Sequence, residues 1–200
     1  MNQSKKTNNQ AYSETRNKTK VLVYSGLLLA LTTIFYVFFQ FPVPFFAEFL
    51  RMDFSDTFAL VGGITLGPVV GILLEILKNV LNLLINGSYS GGIGEMMNAI
   101  VGIAFILPII FIYRTKKTNV RLVIGMIVGV IAMVIVAGVT NYYIALPVYL
   151  PEGTPASYWD MVVTVLTPFN LFKGTLVSIA SGVVIVSLKG IFKYMNVNDQ

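Results

Sequence analysis

The sequence predicts an all-α integral membrane protein with six transmembrane helices and both termini cytoplasmic. Three observations carry that prediction. The 200 residues are 56% hydrophobic and only 12% charged, with a mean hydropathy of +0.77, whereas a soluble domain is about a quarter charged. Apolar runs long enough to span a bilayer, roughly 20 residues each, recur along the chain. The basic residues cluster outside those runs: Lys5, Lys6, Arg16, Lys18 and Lys20; Arg114, Lys116, Lys117 and Arg121; Lys189 and Lys193. That is eleven of the fourteen, and loops enriched in Lys and Arg stay on the cytoplasmic side. This placement accounts for the net charge of +5, so the lipid bilayer is an expected partner and nucleic acid is not.

Residues 1–19 are polar and read as a disordered cytoplasmic tail, ahead of a six-helix domain over residues 20–195. The first span, Val21 to Phe41, is too long for a signal peptide and lacks a cleavage pattern. Gly26 and Ala30 form a small-xxx-small pair on it, able to seat another helix. Pro42 ends it. The segment Pro42–Asp56 that follows is rich in Pro, Phe and charge and reads as an ordered outer loop, with Arg51 pairing with Glu48, Asp53 or Asp56. Phe54–Leu66 is a short second helix capped by Asp53 or Ser55 and closed by the uncharged turn GGITLGP. Pro68 opens the third helix, to about Ile85. Gly94–Tyr113 is the fourth and Leu122–Ile144 the fifth, with a GxxxG pair at Gly125 and Gly129. A second outer loop, rich in Pro, Tyr and Trp, leads into the sixth, roughly Met161–Leu188. There Pro168 interrupts the outer part, and Gly174, Ser178 and Gly182 make a small-residue seam.

This topology brings polar residues together. Glu95 and Asn98 lie near the outer end of the fourth helix on one face. Asn141 reaches the same level on the fifth, and Asn170 and Lys173 on the sixth. With the Pro42–Asp56 loop they outline a lidded pocket open to the outside. Asn amides donate and accept at once, which suits a neutral planar heterocycle. Phe45, Phe46, Phe49, Tyr142 and Trp159 offer stacking surface. The competing reading is that the amides join helices and that Lys173 snorkels to the interface. Glu75 and Lys78, three residues apart at mid-membrane, read as a structural ion pair, with Asn79 and Asn82 extending their stripe.

Some chemistry is excluded. There is no Cys and no His, which removes disulfides, thiol nucleophiles, His bases and Ser–His–Asp sets. No GxxxxGK[ST] occurs, so no P-loop is present. No inverted repeat of the secondary-transporter kind stands out.

The runs FLRMDFSDTFALVGGITLGPVVGILLEILKN and GGIGEMMNAIVG resemble the riboflavin-specific S components of the energy-coupling factor (ECF) transporters. The resemblance covers essentially the whole chain after the tail. It implies a membrane subunit of the bacterial cell membrane, not an enzyme, that binds riboflavin from outside as substrate and uses no cofactor or metal. Its implied partners are a transmembrane T component and two ATP-binding-cassette ATPases, which hydrolyse ATP while the S component reorients in the membrane. The family's AxxxA docking motif falls on Gly26 and Ala30, with Gly in place of Ala. The implied binding residues are Asn98, Asn141, Asn170, Lys173 and Glu95, with Phe46, Ala47, Glu48 and Leu50 from the first outer loop. Two alternatives stay open: an S component for another planar vitamin or a flavin analogue such as FMN, and a stand-alone transporter with Glu75 or Glu95 carrying protons.

Overall fold

The computed structural model describes residues 2–47, 50–88 and 90–190, with side chains from residue 15 onward. Glu48, Phe49, Lys193 and the 191–195 end of the expected domain lie outside the described residues. In chain order the elements are α1 (Asn2–Phe38), a hairpin of β1 (Phe41–Pro42) and β2 (Arg51–Met52), α2 (Asp56–Thr65), α3 (Pro68–Asn86), α4 (Ile93–Lys116), α5 (Asn119–Thr140), α6 (Leu146–Tyr149), α7 (Pro155–Met161) and α8 (Thr167–Ser187). One π turn, Asn141–Ala145, joins α5 to α6, and another, Val162–Leu166, joins α7 to α8.

Among the described residues, five helical stretches are long and apolar enough to cross a membrane: Thr15–Phe38, Pro68–Asn86, Ile93–Lys116, Asn119–Tyr149 and Pro155–Ser187. The remaining predicted helix, the second, is α2, only 10 residues long, with all but Phe58 buried. It is a plug inside the bundle. Its C-terminal carbonyls, orphaned as at any helix end, face Arg114: the guanidinium donates to Gly63 O at 3.3 Å. Gly63 and Gly71 let α2 and α3 touch backbone to backbone, since a Cβ on Gly71 would sit 3.1 Å from the Gly63 Cα. The GxxxG pair works the same way between α5 and α4: a Cβ on Gly129 would lie 2.6 Å from the Phe105 carbonyl oxygen.

The helices depart from the sequence reading at several points. The helix α1 begins at Asn2, within the segment read as a disordered tail, because an apolar helix already nucleated extends at low cost into a polar flank. The last two spans are each broken by a π turn that composition does not reveal. Both turns precede a proline, Pro147 and Pro168. A helical proline clashes with the carbonyl four residues back, here on Tyr143 and Thr164, and the wider turn relieves that clash. The start of α7 is fixed by a capping box between Thr154 and Ser157, with Pro155 next.

Candidate ligand-binding site

A cavity of about 500 Å³ opens at the end of the bundle that carries the β1–β2 hairpin. This is within the range of small-molecule sites. The α3–α4 turn and the end of α5 form its rim, and α8 its floor. The sequence-predicted Glu95, Asn98, Asn141, Asn170, Lys173 and Leu50 all line it. Tyr36 and Val37 of α1 line it too, as do Gln40 just beyond α1, Arg51, Asn82 and Asn86. The α1 wall was missed because a Tyr near a helix end ordinarily reads as interfacial.

Phe46 and Ala47 are not lining residues. The Phe46 ring packs edge-on against Phe169 at 5.4 Å, beside Val43 and Met52. It is Phe169 that meets the cavity. Phe45 is fully exposed. Tyr142 and Trp159 form an aromatic cluster with Tyr143 and Tyr158, away from the cavity lining.

The polar lining is directional. Asn79 Nδ2 donates to the Glu75 carbonyl at 2.8 Å, and Asn98 Nδ2 donates to Asn79 Oδ1 at 3.1 Å. Lys173 Nζ donates to Asn98 Oδ1 at 3.1 Å. A backbone carbonyl only accepts and an ammonium only donates, so both amide orientations follow from the two ends of the chain. Lys173 spends a second donor on Asp53 Oδ2 at 3.1 Å, which leaves one N–H. Asn141 and Asn170 donate to the carbonyls four residues back, Ala137 and Leu166, each at 2.8 Å. Their Oδ1 atoms have no partner among the described residues and remain acceptors. At the rim, Ser88 Oγ donates to Glu95 Oε2 at 2.7 Å.

Behind this lining lies a buried charge network. Lys78 contacts Asp56, donates to Ser55 Oγ at 2.8 Å and lies 2.7 Å from Glu75 Oε2. The Glu75 contact is charge pairing without a well-directed hydrogen bond. The Tyr36 ring centroid lies 5.5 Å from the ammonium, a cation–π distance. Ser55 in turn donates its N–H to Asp53 Oδ1 at 2.9 Å, and its hydroxyl contacts the same oxygen. The expected Glu75–Lys78 pair is therefore present but is one edge of a larger set. Asp53 and Asp56, read as loop acids for Arg51 or as a cap, are instead 1% exposed and held by the lysines. Neither caps α2 through its side chain, and nor does Ser55. Asp53 lies outside the five spans. Burial pushes its carboxyl up, but Lys173, Lys78 and the two Ser55 donors outweigh burial and hold it at about 2.

Gly26 and Ala30 lie far from this site, on an exposed face of α1. Leu22, Ile34 and Phe38 continue that face, each exposed, and a Cβ on Gly26 would meet nothing within 4 Å.

Residues 20–187 match the family model of the ECF transporter, substrate-specific component. The riboflavin transporter FmnP of Bacillus subtilis is 32% identical over 178 residues, covering 86% of this chain and 93% of that protein. The riboflavin transporter RibU of Staphylococcus aureus is 33% identical over 166 residues, 81% of this chain and 86% of the relative. A solved structure of the S component of a bacterial ECF transporter superposes with a TM-score of 0.76 at 32% identity, covering 88% of this chain and 99% of the other.

Proposed function

The chain belongs to the substrate-specific components of ECF transporters, and from that premise we propose that it is the riboflavin-binding subunit of such a transporter. It is a multi-pass protein of the bacterial membrane, and its relatives are named as transporters, not enzymes. The observation that carries the ligand assignment is the directional lining of the 500 Å³ cavity. One N–H of Lys173 and one of Asn98 are left to donate to a ligand, and Oδ1 of Asn141 and Asn170 are left to accept from one. The flavin ring edge, where carbonyl oxygens flank a ring N–H, complements that alternation. Leu50, Leu166, Val101 and Phe169 supply apolar contact for the rest of the ring. Glu95 and Arg51 stand at the rim, within reach of the hydroxylated tail.

The buried pairing of Glu75 with Lys78 argues against Glu75 as a free proton carrier. The Gly26/Ala30 face suits docking of a T component, because small residues let two helices approach closely. ATP hydrolysis belongs to partner ATPases in this reading. Arg114, Lys116, Lys117 and Arg121 lie at the end of the bundle opposite the cavity, which supports cytoplasmic termini and a cavity facing out. Purified protein titrated with riboflavin tests the assignment through quenching of flavin fluorescence. Saturable quenching at sub-micromolar ligand is expected, and none at micromolar ligand refutes it.

A further inference from the structure

We infer that Asp53, which lies behind the cavity wall, is the positioning residue that aims the Lys173 ammonium at the ligand. The inference rests on the flavin reading above and adds a residue that touches no ligand. Asp53 is 1% exposed and does not line the cavity. Its two carboxylate oxygens have separate duties. Oδ1 accepts from the Ser55 N–H at 2.9 Å and contacts the Ser55 hydroxyl, which anchors the carboxylate to the start of α2. Oδ2 accepts from Lys173 at 3.1 Å. Lys173 has four rotatable bonds and three equivalent donors, so an ammonium with a single partner would swing about it. Two acceptors, Asp53 Oδ2 and Asn98 Oδ1, each at 3.1 Å, remove that freedom and set the direction of the third N–H. Asp53 also counters the charge, so the cavity presents a donor with little net field. That suits an uncharged ring.

The proposal gives Asp53→Asn a specific defect. Ser55 brings two donors to Oδ1, so the substituted amide keeps its oxygen there and turns its NH₂ toward Lys173. A donor then faces an ammonium. In a Lys173→Met background the same NH₂ faces a thioether, and the clash is gone. A buried carboxylate that has lost its lysine is itself unfavourable, so Asp53→Asn becomes stabilising there.

Four full-length proteins in detergent test this: wild type, Asp53→Asn, Lys173→Met and the double variant. Each is titrated with riboflavin and melted without ligand. Asp53→Asn and Lys173→Met are each expected to weaken riboflavin binding by about tenfold or more, and the double variant to bind within about threefold of Lys173→Met alone. Without ligand, Asp53→Asn lowers the melting temperature of the wild type and raises that of Lys173→Met. An Asp53→Asn chain that folds only in the Lys173→Met background supports the role as well. Multiplicative losses in binding overturn it. So does destabilisation of the same size in both backgrounds, failure to fold in both, or wild-type affinity in Asp53→Asn. A wild type that leaves riboflavin fluorescence unquenched refutes the flavin reading and takes this role with it.

Discussion

Replacing Lys78 by Met removes the cation from the middle of the bundle while keeping its length and shape. Lys78 is completely buried and holds Asp56, Glu75 and Ser55 at once. Without it, two carboxylates remain in a volume that water does not reach, with Asp53 nearby. Breaking a buried pair by deleting one partner costs about 3–5 kcal/mol. Part of that is recovered when one carboxylate takes up a proton, because a neutral acid is far cheaper to bury. At about 2–4 °C per kcal/mol for a chain of this size, the melting temperature falls by on the order of 10 °C. The assay is the fraction of purified protein remaining monodisperse after heating in a mild detergent. A triple variant, Asp56→Asn, Glu75→Gln and Lys78→Met, removes all three charges together and recovers most of the loss, since neutral replacement of a whole buried set is often close to neutral in stability. The reasoning fails if Lys78→Met melts within about 2 °C of the wild type, or if the triple variant melts no higher than Lys78→Met.

Asn141→Ala removes a free acceptor from the cavity and weakens riboflavin binding by more than about tenfold, or about 1.4 kcal/mol, whereas Glu152→Ala leaves equilibrium binding unchanged. Gly129→Ala drives a methyl group toward the Phe105 carbonyl and costs about 1–3 kcal/mol of stability, seen as an earlier thermal transition. Gly26→Leu, on an open face, leaves folding and riboflavin binding intact but abolishes uptake in cells that carry the ECF module. The folded-state carboxyl of Asp53 lies below its unfolded value, so its contribution to stability is present above about pH 4 and is lost as pH falls toward 2. Melting curves taken over that interval drop less steeply for Lys173→Met than for the wild type.

The spans and the convergence of Asn98, Asn141, Asn170 and Lys173 on one cavity were readable because both follow from alternation: each span reverses direction, so residue number translates into depth. The buried acids were not readable that way. Asp53 and Asp56 sit in a segment whose prolines and phenylalanines mark it as a loop, and nothing in the chain says that this loop dives between helices. Only the pairing with Lys78 and Lys173, 22 and 120 residues away, draws them in. The aromatic residues are ambiguous for a related reason. Phe46, Tyr142 and Trp159 have the type and depth of stacking partners, but a ring packs as readily against Phe169 or Tyr158 as against a ligand, and type alone does not choose. The π turns follow from prolines that were visible, but whether a helix kinks, ends or widens at a proline depends on the neighbours it packs against.

The two halves of the cavity differ in how they are held, and the difference bears on how such a protein acquires a new ligand. Among the described residues, Asn141 and Asn170 lean only on carbonyls of their own spans, Ala137 and Leu166. Each can be exchanged without disturbing another element, so this side is free to drift and to be selected. Lys173 and Asn98 hang in a set of bonds that passes through Asn79, Asp53, Ser55 and Lys78. A change there strands a buried charge or reverses an amide two residues away, and several substitutions must arrive together to be tolerated. Divergence in ligand preference is therefore expected to enter through the α5 side and the first turn of α8, while the α3–α4 side stays constrained across changes of substrate.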